Sequence, residues 1–304
     1  MKETKTDKRS SMRVLITGIE GFTGNYLEKF LVSKNFDVYG TTIESPTKPT
    51  HFKCDITNIE EVQDILSRLK PDYIVNLAAI SFVAANPMKM YEVNVFGALN
   101  ILDALIKLKQ SPKKIILASS AAVYGNIGGS LSEQTPLNPV NHYGNSKLAM
   151  ENMASNYFEK LNILIVRPFN YTGFGQENHF LIPKIVSHFR AKKKTIELGN
   201  THVFREYNNV NDVVEAYAKL MTSDINAEAF NLCSGKSYSI SQIITTLVEM
   251  SNHNIEVKTK PKFVRKNEII DLKGDPTKLF RFLDIGDFSY SINDTLYSML
   301  NKNL

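Results

Sequence analysis

Short runs of β-branched residues alternate with longer amphipathic segments from Met12 onward, and this alternation restricts the fold more than any other feature. Strand candidates are Arg13–Thr17, 36–42, 73–77, 114–119 and 163–166. Between them, apolar residues repeat three and four positions apart, as in helices that bury one face, at Phe22–Ser33, Ile59–Leu69, 88–108 and 143–160. Each interval is long enough for a crossover helix, so the sequence predicts an α/β fold with a doubly wound parallel sheet.

The composition is that of a soluble globular protein, with 304 residues, 43% of them hydrophobic, and a formal net charge of +5. The excess lies partly in residues 1–9 and 192–194 and does not form a nucleic-acid footprint. No segment approaches the ~18 consecutive apolar residues that span a bilayer, so no membrane contact is expected. Cys54 and Cys233 give no reason to expect disulfides, no metal site is predicted, and a cytoplasmic setting fits best.

A glycine-rich turn follows the first strand directly, with Gly18, Gly21 and Gly24 in the run TGIEGFTG. Glycine lets the backbone turn sharply and approach a pyrophosphate, and the first amides of the following helix attract anions. At the first strand–helix junction of a parallel sheet, such a run favours a dinucleotide over an ordinary turn. Phe22 and Thr23 are predicted to bind the cofactor together with the three glycines.

The end of the second strand usually separates NAD from NADP, because an acid there hydrogen-bonds the ribose 2′-hydroxyl and repels a 2′-phosphate. Thr41 and Thr42 stand at this strand end, and Glu44 lies slightly beyond. Small hydroxyls can accept a 2′-phosphate, so NADP(H) is favoured and NAD(H) is the alternative. Asp55 and the adjacent Ile56 are candidates for the adenine end, although Asp55 fits equally well as a carboxylate at a helix N-terminus.

Tyr143 and Lys147 are four residues apart on a predicted helix and therefore share one face. An adjacent ammonium favours the phenolate, which lowers the pKa of tyrosine from about 10 and allows the pair to transfer a proton. Upstream, the fourth strand ends in Ser119 and Ser120, at the sheet edge where ligands bind. A serine there can hydrogen-bond a substrate oxygen that Tyr143 protonates, while Lys147 holds the cofactor ribose.

These motifs, in this order, resemble those of the extended short-chain dehydrogenase/reductase family from Met12 to the C-terminus. Further matching pieces are NLAA at 76–79, NVxG at 94–97 and RPFN at 167–170. The resemblance implies a Rossmann-type fold. It also implies catalysis by Ser120, Tyr143 and Lys147, with Leu77, Ala78, Ala79 and Asn94 at the cofactor.

Two later segments, 167–176 and 231–240, look like those of GDP-4-dehydro-6-deoxy-D-mannose reductases. This resemblance implies NAD(P)H-dependent reduction of the C4 ketone of a 4-keto-6-deoxy nucleotide sugar, with GDP favoured as the nucleotide. The 6-deoxy-mannose and the corresponding heptose both stay open, as do dTDP- and UDP-linked sugars. Implied substrate contacts are Ser120, Asn170, His179, Arg205 and Arg265.

The substrate-contacting arginines have an alternative interpretation. A guanidinium pairs bidentately with phosphate oxygens, which suits a nucleotide diphosphate. Arg205 and Arg265 could instead form surface salt bridges with Glu206 and Glu268. Only the resemblance favours the phosphate role.

Ala121 and Ala122 argue against two related reactions. Similar 4,6-dehydratases carry Asp and Glu here, and elimination of water needs an acid and a base that methyl groups cannot supply. The related fucose synthases, which epimerise before they reduce, carry a cysteine at the position of Ala122. His179 lies near the position where those enzymes keep a histidine, and without its cysteine partner it is interpreted as a loop or substrate-contacting residue.

The expected domain organisation is a disordered tail at 1–11, a dinucleotide-binding domain at 12–170 and a nucleotide-sugar-binding lobe at 171–304. Within 205–233 a helical pattern is followed by a strand pattern, so this stretch is expected to rejoin the sheet in part. Helical periodicity in the lobe occurs at 180–191, 211–221 and 240–252.

Two other functions stay open. A nucleotide-sugar 4-epimerase uses the same three residues but keeps NAD tightly bound, and a non-catalytic dinucleotide-sensing protein keeps only the fold. In similar proteins the helices at 88–108 and 143–160 pair across a two-fold axis as a four-helix bundle. A homodimer is therefore predicted, although such an apolar face can equally be packed internally.

Overall fold

The structure, a computed structural model, describes residues 11–81, 85–260 and 269–302. Its strands are β1 (Arg13–Thr17), β2 (Asp37–Thr42), β3 (His51–Lys53), β4 (Tyr73–Asn76), β5 (Lys114–Ala118), β6 (Gly129–Leu131), β7 (Ile163–Pro168), β8 (Tyr171–Thr172), β9 (Thr195–Leu198), β10 (Phe204–Arg205), β11 (Asn208–Asn209), β12 (Glu228–Leu232), β13 (Tyr238–Ser239), β14 (Glu256–Thr259) and β15 (Asp271–Gly274). Its α-helices are α1 (Phe22–Ser33), α2 (Ile59–Leu69), α3 (Pro87–Tyr91), α4 (Ala98–Lys107), α5 (His142–Ala154), α6 (Leu181–Arg190), α7 (Val210–Met221), α8 (Ile240–Ser251), α9 (Thr277–Leu283) and α10 (Ile292–Asn301). A π-helix, Glu92–Gly97, joins α3 to α4, and short 3-10 helices lie at Ala121–Tyr124 and Ser155–Tyr157.

Seven strands form the main sheet in the order β12-β7-β5-β4-β1-β2-β3, and every neighbouring pair is parallel. The chain starts at β1 inside the sheet, runs outward through β2 and β3, and then returns to build the other half from β4. This is the Rossmann-type doubly wound arrangement, so the predicted fold class is confirmed. The direction of winding reverses between β1 and β4, and the carboxyl ends of these strands border a crevice where ligands bind in such folds.

Helices cover both faces of the sheet, which explains why its strands read as nearly continuous apolar runs. Val14 and Ile16 point to the face covered by α1 and α7, whereas Leu15 points to the face covered by α2, α4 and α5. All three are at most 3% exposed. Full burial of such a side chain contributes roughly 1.5–3 kcal/mol, so both helical layers are held by apolar contact.

A third apolar cluster lies outside the main sheet and joins α6, α8 and α10 through residues such as Phe189, Leu247 and Leu296. Three small sheets accompany it, with the orders β13-β10-β15-β6, β11-β8 and β14-β9. Between them, α7 packs against α1, and β12 returns to the main sheet beside β7. The strand pattern near residue 230 therefore does rejoin the sheet, while the domain boundary at residue 170 stays a prediction.

Several predicted elements differ from the observed ones. The helix expected at 88–108 is three segments, because its middle widens into the π-helix, where a Cβ on Gly97 would lie 2.6 Å from Ile56 Cδ1. The helix expected at 143–160 ends at Ala154 and continues as a 3-10 turn. There the Ser155 hydroxyl donates to the Asn152 carbonyl at 2.7 Å, a bond that competes with regular helix. Strand β3 was not predicted, because three residues are too few to show a period.

Two general expectations can be compared with the structure. Cys54 and Cys233 are both buried and free. Within the ranges that the structure describes, no helix combines the length and the apolar character needed to cross a membrane.

Candidate active site

The glycine-rich turn between β1 and α1 has the shape of an anion site. Gly18 has a φ of +67°, and a Cβ there would lie 3.0 Å from the Cα of Ala78. A Cβ on Gly24 would lie 2.4 Å from the Ile19 carbonyl oxygen, so the helix approaches the turn only because this residue is glycine. Gly21 begins α1 without a side-chain cap, which leaves the first amides of the helix available to an anion. This backbone fits the pyrophosphate of a dinucleotide.

Two side chains at the end of the turn, those of Phe22 and Thr23, connect the turn to Tyr171 in β8. The hydroxyls of Thr23 and Tyr171 are 2.7 Å apart, and the rings of Phe22 and Tyr171 stack at 6.2 Å. Phe22 also contacts Tyr26 edge-on at 5.4 Å. Phe22 and Thr23 are thus positioned to offer backbone rather than side-chain contacts to a cofactor.

Residues 77–79 lie beside the turn, as expected, because β4 ends next to β1. The amide of Leu77 donates to the Thr17 carbonyl and that of Ala78 to the Thr17 hydroxyl, both at 3.2 Å. The Thr17 hydroxyl in turn donates to Asn76 Oδ1 at 2.5 Å. Ala79 is exposed at the end of this segment. These bonds hold 77–79 along the crevice that the glycine turn borders.

Asn94, predicted to contact the cofactor, lies behind this segment in the π-helix and is 2% exposed. Its Oδ1 accepts from the amide of Ile80 at 2.8 Å, and its Nδ2 donates to the Ile80 carbonyl and to the Ser146 hydroxyl, both at 3.0 Å. The Ser146 hydroxyl donates to the carbonyl of Tyr143 at 2.8 Å. Asn94 therefore links the loop after β4 to α5, and these contacts support a positioning role.

The predicted adenosine contacts lie after β2 and β3. Asp55 Oδ1 accepts from the amide and the hydroxyl of Thr57 at 2.9 and 2.8 Å. Burial raises the pKa of Asp55, but these hydrogen bonds outweigh it and lower the pKa overall. The helix cap of α2 is Asn58, so the alternative of Asp55 as the helix N-terminal cap is wrong. Ile56 is buried, and the Thr42 hydroxyl accepts from the Glu44 amide at 3.3 Å.

The three predicted catalytic residues come together at the carboxyl edge of the sheet. Ser120 follows β5, and its hydroxyl accepts from the Ala122 amide at 3.2 Å. Tyr143, in the first turn of α5, hydrogen-bonds the Ser120 side chain. Lys147 lies one turn later, is 4% exposed and donates to the Ala118 carbonyl at 2.7 Å. Strand end and helix start thus bring a hydroxyl, a phenol and an ammonium to one place.

The protonation states of the pair differ from the sequence prediction. Burial raises the pKa of Tyr143 to about 12, the hydrogen bond to Ser120 opposes this rise, and Tyr171 adds to it. The predicted lowering of the tyrosine pKa by Lys147 is therefore wrong in direction. Burial lowers the pKa of Lys147 to about 8, against the opposing effect of Glu151. At neutral pH the phenol is protonated and the lysine is mostly an ammonium, so Tyr143 is prepared to donate a proton.

A buried ion pair that sequence reasoning missed lies under this site. Arg167 Nη2 and Nε donate to Glu151 Oε2 and Oε1 at 2.7 and 3.0 Å, with side chains only 7% and 5% exposed. Glu151 also accepts a hydrogen bond from Ser119. Arg167 Nη1 donates to the hydroxyl of Tyr124 at 3.1 Å. Because Ser119 precedes Ser120 and Glu151 lies one turn after Lys147, this network joins the strand end to the catalytic helix. The available signal was an acid four residues after Lys147 together with the arginine of RPFN.

Two further tyrosines were also missed. Tyr171 raises the pKa of Tyr143, and Tyr143 and Tyr171 both raise the pKa of Tyr217, whose main perturbation is burial. Tyr217 lies on α7 and is 1% exposed. Three phenols are therefore close together beneath the crevice.

The predicted substrate contacts are spread over the lobe. Asn170 is exposed after β7, and its carbonyl accepts from the Asn208 amide at 3.0 Å. His179 lies in the exposed loop before α6, with Nδ1 2.9 Å from Glu177 Oε2. Arg205 Nη1 donates to the carbonyls of Phe204 and Ile269 at 2.7 and 2.8 Å. Arg265 lies outside the described residues.

The alternative of a surface salt bridge between Arg205 and Glu206 is wrong. Glu206 is 1% exposed, and burial raises the pKa of its carboxyl. It accepts hydrogen bonds from the amides of Ser234 and Gly274 and from the Asn208 side chain at 2.6–2.8 Å. Glu206 therefore holds the lobe together from inside.

The sheet topology and the crevice it forms are those of the Rossmann-type short-chain dehydrogenase/reductase fold. More narrowly, the GDP-mannose 4,6 dehydratase family matches residues 15–286, and the chain belongs to this family.

Two characterised relatives are aligned over most of their length. The chain is 39% identical to GDP-6-deoxy-D-talose 4-dehydrogenase of Aggregatibacter actinomycetemcomitans, over 96% of this chain and 98% of that protein. It is 27% identical to GDP-6-deoxy-D-mannose reductase of Pseudomonas aeruginosa, over 88% and 90%. Both are oxidoreductases of GDP-linked deoxysugars.

Solved structures agree with this placement. A protein from Burkholderia cenocepacia J2315, provisionally assigned as an epimerase, superposes with a TM-score of 0.90 at 37% identity, over 96% of this chain and 98% of that one. RMD from Pseudomonas aeruginosa, complexed with NADPH, superposes with a TM-score of 0.85 at 25% identity, over 95% and 98%.

Proposed function

We propose that the protein reduces the C4 ketone of a 4-keto-6-deoxy nucleotide sugar with NAD(P)H. The favoured substrates are GDP-4-keto-6-deoxy-mannose and the corresponding GDP-linked heptose. The observation that carries this proposal is the hydrogen bond between Tyr143 and Ser120, with Lys147 one turn away and methyl groups at Ala121 and Ala122. This arrangement can deliver one proton to a ketone oxygen, and it offers no acid–base pair for elimination of water.

The residues divide the work as follows. A bound nicotinamide would supply the hydride that adds to the ketone carbon. Tyr143, protonated at neutral pH, donates its proton to the carbonyl oxygen, which becomes the alcohol. Ser120 hydrogen-bonds the same oxygen and the phenol, and the Lys147 ammonium stabilises the phenolate that remains. The Arg167–Glu151 pair, through Ser119, holds the end of β5 and the helix α5 in a fixed relative position.

The names of the relatives support this reaction. One relative is named GDP-6-deoxy-D-talose 4-dehydrogenase and the other GDP-6-deoxy-D-mannose reductase. Both names describe the interconversion of an alcohol and a ketone on a GDP-linked 6-deoxysugar, and the two sugars differ in configuration at C4. A protonated Tyr143 favours the reductive direction, since the phenol must lose its proton before it can act as a base for oxidation. Residues 171–304 are proposed as the lobe that holds the nucleotide sugar, with contacts from Asn170, His179, Arg205 and Arg265.

A homodimer is part of the proposal. Met88, Phe96 and Ile106, on the α3, π-helix and α4 unit, are 72%, 54% and 39% exposed. Apolar side chains this exposed along one helical unit favour a partner helix pair. Light scattering on the purified protein measures the assembly directly.

The test is incubation with NADH or NADPH and a panel of GDP-, dTDP- and UDP-linked 4-keto-6-deoxy sugars, with products identified by NMR. Tyr143→Phe should lower kcat by at least about 10²-fold, since general acid catalysis contributes about that much, and should leave nucleotide-sugar binding nearly unchanged. Tyr157→Phe is the matched control, because Tyr157 lies in the 3-10 helix after α5 and bonds Asp103 of α4. Full activity of Tyr143→Phe would refute the assignment. Interconversion of C4 epimers without net use of added cofactor would identify a 4-epimerase instead.

A further inference from the structure

Glu20, in the middle of the glycine-rich turn, is held by hydrogen bonds to one of its two oxygens. Its Oε1 accepts from the Thr47 amide at 2.8 Å and the Thr47 hydroxyl at 2.7 Å, and lies 3.0 Å from His51 Nδ1. These partners belong to the segment that follows β2 and to β3. The carboxylate is therefore fixed in place before any ligand arrives.

The turn that carries Glu20 rests on the end of β2. The amides of Gly18 and Ile19 donate to the Thr41 carbonyl at 2.9 and 3.2 Å. Gly40 makes the close approach possible, because a Cβ there would lie 2.4 Å from the Ile19 side chain. In this fold the end of the second strand faces the adenosine ribose of a dinucleotide. Glu20 thus brings a carboxylate to the place where an acid is usually supplied by β2 itself.

The threonines of β2 are less available than the sequence suggests. Thr41 is 2% exposed and Thr42 is 8% exposed. The Thr42 hydroxyl already accepts from the Glu44 amide. They are therefore poorly placed to receive a 2′-phosphate, which removes the argument that favoured NADP(H).

The second oxygen of Glu20, Oε2, accepts no hydrogen bond from any residue that the structure describes, and the side chain is 20% exposed. Hydrogen bonds from His51 and Thr47 lower the pKa of Glu20 to about 2, so the group is ionised at neutral pH. An ionised oxygen with a free lone pair accepts a hydrogen bond from a hydroxyl group and repels an anion.

Two basic residues close to Glu20 also contact a second carboxylate, that of Glu28. Lys48 Nζ lies 2.5 Å from Glu28 Oε2, and His51 Nε2 lies 3.0 Å from Glu28 Oε1. The Lys48 ammonium and one nitrogen of the His51 ring therefore face Glu28. A 2′-phosphate at this position would meet the Glu20 carboxylate, which repels it.

We propose that Glu20 selects NAD(H) over NADP(H), because its Oε2 accepts a hydrogen bond from a ribose hydroxyl and its charge repels a 2′-phosphate. The inference rests on the proposed function, since it concerns the cofactor of the same site, and it reverses the preference for NADP(H) drawn from the strand-end threonines.

The experiment is isothermal titration of NADH and NADPH into the full chain at fixed ionic strength, without a sugar substrate. The wild type should bind NADH at least about 30-fold more tightly, which corresponds to about 2 kcal/mol. Glu20→Gln keeps an oxygen for Thr47 but removes the charge. It should lower the ratio of NADH affinity to NADPH affinity at least about tenfold, mainly by tighter NADPH binding. Glu44→Gln is the matched control, because it removes an exposed acid from the neighbouring loop after β2 and should leave the affinity ratio unchanged.

Each outcome decides a different question. Equal or tighter binding of NADPH by the wild type, or an unchanged ratio in Glu20→Gln, overturns the role of Glu20. A shift with Glu44→Gln instead would assign selection to that acid. If neither dinucleotide binds, the dinucleotide site and the proposed function are wrong together with this inference. Wild-type titrations with ADP-ribose and its 2′-phosphate need no variant, and they should show the same preference even if Glu20→Gln does not fold.

Discussion

Replacement of Arg167 by methionine should show how much the buried ion pair with Glu151 contributes to the free energy of unfolding. Arg167 and Glu151 are 7% and 5% exposed, and two of the bonds between them are 2.7 and 3.0 Å long. Without the arginine, the Glu151 carboxylate is left buried, with a hydrogen bond from Ser119 and the more distant attraction of Lys147. Breaking a buried pair in this way costs about 3–5 kcal/mol, so Arg167→Met should lower the free energy of unfolding by that amount.

The double variant Arg167→Met with Glu151→Met gives the decisive comparison. Buried pairs replaced by apolar residues of similar volume are often neutral or stabilising. Here Tyr124 keeps its bond to Asn231 at 2.7 Å, and the remaining cost is the Ser119 hydroxyl, about 1–3 kcal/mol if it finds no partner. The double variant should therefore be more stable than Arg167→Met by about 2 kcal/mol.

The assay is urea unfolding followed by far-UV circular dichroism, since the chain contains no tryptophan to report by fluorescence. The coupling energy comes from the four-variant cycle. A loss below about 1 kcal/mol in Arg167→Met, or strictly additive single changes, would refute the buried coupling. Turnover of the double variant should stay low despite its recovered stability, because Ser119 no longer joins β5 to α5.

Two more predictions concern the reacting centre and the turn. The kcat/KM for ketone reduction should be flat below pH 8 and fall above it, because Lys147 loses its proton near its pKa of about 8. Oxidation of the alcohol should instead accelerate with pH, because it needs the Tyr143 phenolate. Parallel pH profiles in both directions would contradict these roles. Gly24→Ala should weaken binding of either dinucleotide by at least about tenfold, because its Cβ would lie 2.4 Å from the Ile19 carbonyl. The affinity is measured by calorimetry, and an unchanged value would contradict the close packing of this turn.

The sequence predicted the sheet well because its signal is local. The strands β1 and β5 are apolar runs bordered by turns, and their predicted limits are within one residue of those observed. The position of Ser120 could be predicted for a similar reason, since it follows β5 and the carboxyl ends of parallel strands meet at one edge of the sheet. Tyr143 lies at the start of α5, beside the same edge.

Features that depend on distant neighbours could not be predicted in the same way. Asn94 lies in a widened helix turn and bonds Ile80, which is 14 residues away in sequence. From sequence alone, Glu151 resembles a solvent-exposed charge on a helix, whereas in the structure it is buried and bonded to Arg167 of β7. For Tyr143, a nearby lysine suggested a lowered pKa, whereas burial by the rest of the chain raises it.

The parallel pairing of β12 with β7 has a consequence for biosynthesis and evolution. The chain leaves the main sheet after β7 and returns only at residues 228–232, where Phe230 and Leu232 are at most 1% exposed. A growing chain that has emerged only to residue 170 therefore presents β7 as an unpaired apolar edge, which is an aggregation hazard until β12 follows. The part of the chain outside the main sheet is also connected to it on both sides, after β7 and at β12, so it cannot be exchanged at a single junction. New sugar specificities on such a scaffold are then expected to arise from changes within loops rather than from replacement of whole domains.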